Sequence, residues 1–427
     1  MRLLLGQLYD QRTAAQLESF YVGEVLIPQE RLNPLYLREA VCFILHKYPV
    51  LRASFTRNEG EWNMHFLAPD QLPGEVAFSV LDEAAGLSID ARLQAGIDAL
   101  LASPSMTPPL IRYVLLDAEQ AERQRLLVIF HHLVCDGISS RILWRDISRA
   151  YRAAAQGEPL PTETCDSYPA FAQELAERYR ALPAATQPSP EPLAALGTLD
   201  RVAHELSGKT LASTQTCHCL HLQAAELQAL RACAAAWQLS LSDCLLGCWL
   251  HALSSVQAQG SVDLMMWVSP HFIGDWHTPV AELVGSVSFP LPVRVNLQAG
   301  EGPREAAHAA VAQVQQAMAS AQDFAIRHFS GVPGAPVPPL AAIGFNFISS
   351  PRPNANLIGY QLAPEPLRLA SAEQQMAHLP LSFEAEIHAH TLRITVLVSP
   401  QMTHRLALDA VIDRLFGHVQ SMATTCN

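Results

Sequence analysis

Apolar residues recur at helical spacing between Asn33 and Phe55, at Leu35, Leu37, Val41, Ile44 and Leu45. Pro49 ends that pattern, so the spacing predicts an amphipathic helix leading into an extended Val50 to Phe55. Leu126 to Phe130 is an unbroken apolar run of the kind a strand buried on both faces needs, and it places His131 and His132 at a strand-to-loop junction. After Gly137, Ile142, Leu143, Ile147, Ala150 and Tyr151 return to helical spacing, and Gly157 is placed to end the helix. The second half predicts strands at Thr216 to Leu222, Leu283 to Val295, Ala341 to Ser349 and Arg393 to Val398. Helices are predicted at Ala224 to Trp237, Ser240 to Val256, Arg304 to Gln322 and Leu406 to Met422. Strands alternating with helices indicate an α/β (α+β) class built on mixed sheets.

The stretch from Leu182 to Pro192 is rich in proline and poor in large apolar residues, which reads as a linker between two lobes. The expected domains are an N-terminal lobe over 1–182, a Pro-rich linker over 183–197 and a C-terminal lobe over 198–427. With 427 residues, 49% of them hydrophobic, the chain can bury more than one core.

A formal charge of -12 and no run of basic residues make nucleic acid or an anionic membrane a poor partner. Nine cysteines, an odd number, are scattered and several lie in apolar runs, as in a reducing compartment. The opening apolar stretch is too short for a signal peptide, and no stretch approaches the ~18 apolar residues of a membrane span. A soluble cytoplasmic protein is the expectation. Cys217-His218-Cys219 alternates on a predicted strand with no second ligand pair at finger-like spacing, so no metal site is expected. Nucleophile-elbow, dinucleotide and phosphate-loop signatures are absent.

The chemistry concentrates in His131-His132-Leu133-Val134-Cys135-Asp136-Gly137. A histidine with an unperturbed pKa near ~6.5 can take a proton from a hydroxyl or amine and return it to a leaving thiolate near neutral pH. A lone histidine beside an apolar strand is more often a packed core residue, and that reading suits His131. For His132 the spacing and the strand-end setting favour chemistry. Asp136 sits too close to the turn for a triad role and reads as structural, with Arg294 or Arg52 as the cation that neutralises it. Gly137 marks a place where backbone bends or something comes close. Cys135 lies inside the motif as a conceivable nucleophile beside His132.

These residues resemble the shared His-His-x-x-x-Asp-Gly pattern of the condensation-domain superfamily, whose fold is like that of chloramphenicol acetyltransferase; the similarity extends to Ser139. Leu51-Arg52-Ala53-Ser54-Phe55, Pro109 to Arg112, Ser167 to Ala172, Val284-Gly285 through Leu291-Pro292-Val293-Arg294, and Ala321 to Phe324 look like further landmarks of that family in order. The resemblance implies two lobes in a V around a tunnel, with His132 as catalytic base or positioning group. It also implies a structural Asp136 in a salt bridge assigned to Arg294, and room at Gly137 for the acceptor or a pantetheine arm. Asn346, Ser139 and Arg52 are the candidate substrate-binding residues.

The implied donor is a phosphopantetheine thioester on an acyl or peptidyl carrier protein, with no bound cofactor, and the implied acceptor is a small alcohol or amine. A thioester donor that meets its acceptor directly, as the resemblance implies, makes a nucleophilic role for Cys135 unnecessary. Phe289 and Pro290 stand where many peptide-forming members carry Asn and Thr, and the compact length, without adenylation or carrier modules, looks more like a free-standing member. The expectation is therefore a free-standing, polyketide-associated type that forms an ester or amide, with ester favoured. A CoA-dependent acyltransferase and a catalytically silent, carrier-recruiting domain are the alternatives.

Overall fold

The computed structural model describes residues 18, 20–58, 61–72, 77–82, 87–101, 106–160, 164–165, 167–182, 197–207, 209–257, 260–296, 302–332, 335, 341–349, 358–363, 365, 379–388 and 390–425. Two mixed sheets flanked by helices make up the fold. The first contains β1 (Tyr21–Pro28), β4 (Phe78–Leu81), β5 (Ile111–Leu116), β6 (Arg125–His131) and β11 (Tyr360–Leu362), in the order β11-β1-β6-β5-β4. The second contains β7 (Thr216–Leu222), β8 (Ser261–Val268), β9 (Phe289–Asn296), β10 (Ile343–Ser349), β12 (Leu381–His388) and β13 (Thr391–Val398), in the order β7-β13-β12-β10-β8-β9. Strands β2 (Ala53–Asn58) and β3 (Glu61–Phe66) form a separate antiparallel hairpin. Of the expected linker, 183–196 lies outside the described residues. The chain divides between the two sheets on either side of it, except that β11 crosses back to pair antiparallel with β1.

β6 is the central strand of the first sheet, antiparallel to β1 on one side and β5 on the other. Its alternate residues feed two cores. Leu127 and Ile129 pack with Leu93 and Ile97 of the helix Ile89–Leu101, while Leu126 packs into the main core. That double burial is why the run carries no polar alternation. The helix Gly137–Gln156 follows after a short loop, capped by the Asp136 side chain and ended by Gly157 at φ 70. Its buried face includes Ile142, Leu143, Ile147, Ala150 and Tyr151, the residues that set its sequence period. Because strand and helix are both anchored in packed core, the residues 132–136 between them have little freedom.

In the second sheet, Phe383 of β12 stacks on Phe345 at 5.1 Å and meets Trp249 of the helix Leu241–Leu253 at 5.7 Å. Gly247 lets that helix lie against the helix Pro303–Ala319, since a Cβ there would stand 2.4 Å from the Ala307 methyl. Three predicted elements are corrected. The expected extended Val50 to Phe55 opens as a 3-10 turn over Pro49–Arg52 and becomes strand only at Ala53. Arg304 to Gln322 is not one helix: it breaks at Ser320 and restarts as Ala321–Phe329. The predicted strand from Leu283 begins only at Phe289, because the backbone of 285–288 bonds to the histidine motif instead of to a neighbouring strand. Among the described residues no helix is long and apolar enough to cross a membrane.

Candidate active site

The motif loop is built from its inward-facing residues. His131 is fully buried; its N–H donates to Leu110 O at 2.7 Å and its Nδ1 accepts the Leu133 N–H at 3.2 Å. The Tyr21 ring meets it edge-on at 4.9 Å. Accepting at Nδ1 makes His131 a neutral fixture that shapes the turn, assigned from this hydrogen-bond pattern. His132, the next residue, faces the other way and is half-buried. Its main-chain N–H donates to Phe20 O at 2.9 Å, and its imidazole stacks on the Phe20 ring at 4.9 Å with a 6° interplanar angle. Two adjacent histidines thus have opposite environments because β6 alternates sides.

Asp136 is 2% exposed, and its carboxylate collects hydrogen-bond donors from two distant parts of the chain. Oδ1 accepts the Ser139 N–H at 2.9 Å and lies 2.8 Å from Ser139 Oγ. Oδ2 accepts from Val287 N at 3.2 Å, Ser288 N at 2.9 Å and Ser288 Oγ at 2.8 Å. Ser139 Oγ also accepts the Gly285 N–H at 3.0 Å. Gly285 has to be glycine, since a Cβ would stand 2.2 Å from the buried ring of Tyr168. Gly137 is exposed, and a Cβ placed on it would have nothing within 4 Å. Open space, not close backbone approach, therefore surrounds it.

The salt bridge expected between Asp136 and Arg294 does not form. Arg294 on β9 instead pairs with its cross-strand neighbour Asp263 on β8, through two contacts of 2.7 Å, at a surface where the Arg294 side chain is 42% exposed. Arg52 does not reach Asp136 either; it donates to the carbonyls of Leu45, His46 and Leu67, capping the helix Pro34–Lys47. Backbone N–H groups and two hydroxyls do the work that a guanidinium was expected to do. Ser139 belongs to this clamp. Asn346 lies on β10 beside Glu384 of β12, and among the described residues no hydrogen bond joins it to the motif loop.

Sequence reasoning missed the partner segment 269–288. His271 is held at both ring nitrogens, 2.7 Å from Ser269 Oγ and 3.0 Å from Leu283 O, and burial pushes its pKa down against the pull of Asp136. It is thus neutral near pH 7, a spacer at the start of the clamp. Glu282 is bound by Lys47 at 3.0 Å and Arg145 at 2.7 Å, and both cations also bind Asp146, at 2.6 and 2.8 Å. Tyr48 OH lies 2.7 Å from Asp146 Oδ2. The one hint in the sequence was that Gly285, Ser286 and Ser288 interrupt an otherwise apolar run.

This network gives a pH dependence. Burial pushes both carboxyls up, but hydrogen bonds from Arg145 and Lys47, with Tyr48 on Asp146, more than reverse it and leave both below the usual carboxylate range. Their stabilisation is complete above about pH 4, near the unfolded values, and is lost as pH falls through the depressed folded values. Burial lowers Lys47, but Asp146 and Glu282 raise it net, so its share persists at neutral pH and fades only as pH rises through its folded value. Urea midpoints measured from pH 6 down to pH 3 should fall more steeply for the parent than for Asp146→Asn; parallel curves would refute the assignment.

Cys135 is fully buried, and burial, then the charges of Asp136 and Glu24, push its thiol well above the ordinary range. Such a thiol does not supply a thiolate at neutral pH. Cys135→Ser should keep the protein's activity within about twofold, since an oxygen there can still donate to Asp136 O, as the thiol does. A loss beyond about tenfold in initial rate would return Cys135 to the chemistry.

The Condensation domain family model matches residues 6–327. Bacitracin synthase 3 of Bacillus licheniformis is 31% identical over 140 residues, 31% of this chain and 2% of that protein. Bacitracin synthase 2 of the same organism is 46% identical over 57 residues, 13% of this chain and 2% of that protein. The matches cover only a few per cent of the length of these curated relatives. In fold, the chain is similar to the epimerization domain from the third module of tyrocidine synthetase B, with TM-score 0.73 at 18% identity, covering 96% of this chain and 92% of the other. The condensation domain that mediates chain release from the enacyloxin polyketide synthase gives TM-score 0.65 at 18% identity, covering 99% and 81%. A family match across most of the sequence, joined to this architecture and to the histidine motif at the end of β6, shows that the chain belongs to the condensation-domain family.

Proposed function

We propose that the protein transfers an acyl chain from a phosphopantetheine thioester on a carrier protein to a hydroxyl or amine acceptor, in the manner of a free-standing condensation enzyme. One observation carries the reading. In a loop where His131, Leu133, Val134, Cys135 and Asp136 are all buried, His132 is the one residue that keeps partial exposure, with its Nδ1 turned inward, and the exposed Gly137 that follows has open space over it. The acceptor's oxygen or nitrogen bonds to the thioester carbonyl carbon as His132 takes its proton. The tetrahedral intermediate then collapses, the C–S bond breaks, and His132 returns the proton to the departing thiolate. Asp136 holds the loop still during these steps through its clamp on 285–288, so enforced proximity supplies much of the acceleration. The condensation domain acting in enacyloxin chain release supports this reading by fold, and Phe289 and Pro290 support a role other than standard peptide-bond formation.

The test is intact-mass analysis of a loaded carrier protein incubated with this protein and candidate alcohols and amines, with acyl-CoA in parallel. The acyl mass should leave the carrier and appear on the acceptor. Transfer from acyl-CoA alone would assign a CoA-dependent activity. Retention of the chain on both donors, beyond spontaneous hydrolysis, would refute catalysis and leave a domain that only recruits the carrier.

A further inference from the structure

A small cavity lies between the first sheet and the helix Gly137–Gln156, with Cys135 of the motif loop in its lining. Its floor is a cross-strand row, Glu24 on β1, Val128 on β6 and Tyr113 on β5, whose register places all three on one face. Phe130, Trp144 and Tyr360 form apolar walls. The walls are fixed: Trp144 Nε1 donates to Ile358 O at 3.1 Å, and the Trp144 and Tyr360 rings meet edge-on at 5.1 Å. The volume is about 50 Å³. At about 10–15 Å³ for each water-sized occupant, that is room for three or four small groups.

Arg141 projects into this space from the first turns of the helix. Among the described residues it makes no hydrogen bond or ion pair, although a guanidinium carries five donors. Glu24, at one end of that row, is exposed. We propose that the cavity is a carboxylate subsite, in which Arg141 binds the carboxylate of a small hydroxy acid or amino acid whose hydroxyl or amine is the acyl acceptor. The volume fits a carboxylate with one or two carbons, and the aromatic walls cover the carbons. Burial outweighs the pull of Tyr360, Glu24 and Asp136 on Arg141 and lowers its hold on its proton, so the cation is under-compensated and has capacity for one more anion. In the transfer itself the carboxylate is a spectator: the new bond forms at the acceptor's oxygen or nitrogen, the C–S bond breaks, and the proton passes through His132 to the thiolate.

The inference rests on the acyl-transfer reading, but its test does not need turnover. Binding of 3-hydroxypropionate and of 1,3-propanediol is measured by titration calorimetry and ligand-observed NMR on the parent, Arg141→Met and Arg141→Lys. The parent should bind the hydroxy acid at least about tenfold more tightly than the diol, as a charged hydrogen-bond pair provides. Arg141→Met should lose that preference and Arg141→Lys should keep part of it, with both variants unfolding near the parent's midpoint. Equal binding of acid and diol by the parent, or unchanged acid binding by Arg141→Met, overturns the subsite. Arg141-dependent binding without any acyl transfer would remove the acyltransferase reading and leave the subsite standing.

Discussion

His132→Ala should slow acyl release from a loaded carrier by about 10²- to 10⁴-fold, the range lost when a positioned general base is removed. The fold should survive. The residue is half-buried and its imidazole stacks on the Phe20 ring, a pair worth about 0.5–1.5 kcal/mol beyond the area it buries. His131→Ala supplies the contrast. That ring is fully buried and accepts the Leu133 N–H, so its loss strands a donor and opens a void, costing roughly 1–3 kcal/mol from the unpaired donor alone. The pair of variants therefore separates chemistry from architecture: one loses rate at nearly constant unfolding midpoint, and the other loses midpoint first. Initial rates by intact-mass analysis and urea titrations on the same preparations check both. Release by His132→Ala at the parent's rate would remove the catalytic role, whatever the fold.

How much of this was legible depends on where each segment's hydrogen bonds go. β6 and the helix Gly137–Gln156 satisfy their backbones locally or with adjacent strands, and their side-chain periods matched the elements within a residue or two. The segment 283–288 is apolar enough to read as strand, but its amides are spent on Ser139 and Asp136, about 150 residues earlier, a tertiary fact no local period encodes. The expected partner of Asp136 fails for the same reason. A buried carboxylate needs donors, and the sequence cannot distinguish one guanidinium from a set of backbone N–H groups. Arg294 looked available only because the β8–β9 register, which sets it opposite Asp263, was not readable. β12 is a different case. Leu381, Phe383, Ala385 and Ile387 alternate inward over eight residues, a legible signal for a strand that was not among the expected elements.

Asp136→Ala should damage both stability and rate, and the size of the effect follows from counting what is stranded. The substitution removes the N-cap of a 20-residue helix, about 1 kcal/mol. It also leaves the Val287 and Ser288 N–H groups and the Ser288 hydroxyl without their shared acceptor, while the Ser139 hydroxyl can still donate to Gly285 O at 2.8 Å. Each buried unpaired donor costs roughly 1–3 kcal/mol, but these share one site and relax together, so the sum is closer to about 3–5 kcal/mol. Transfer should fall with it, because the loop that presents His132 loses its attachment to 285–288. Asp136→Asn rescues only part. Whichever way the amide turns, its NH₂ faces N–H groups that had been donating to oxygen, whereas a role limited to filling space would be restored in full. Arg294→Ala is the matching control. Its pair with Asp263 lies at the surface, where such pairs are worth about 0–1 kcal/mol, so stability and transfer should stay near the parent's. If Arg294→Ala instead reproduced the losses of Asp136→Ala in both urea midpoint and initial rate, the guanidinium would be the true partner of Asp136 and the backbone clamp would be wrong.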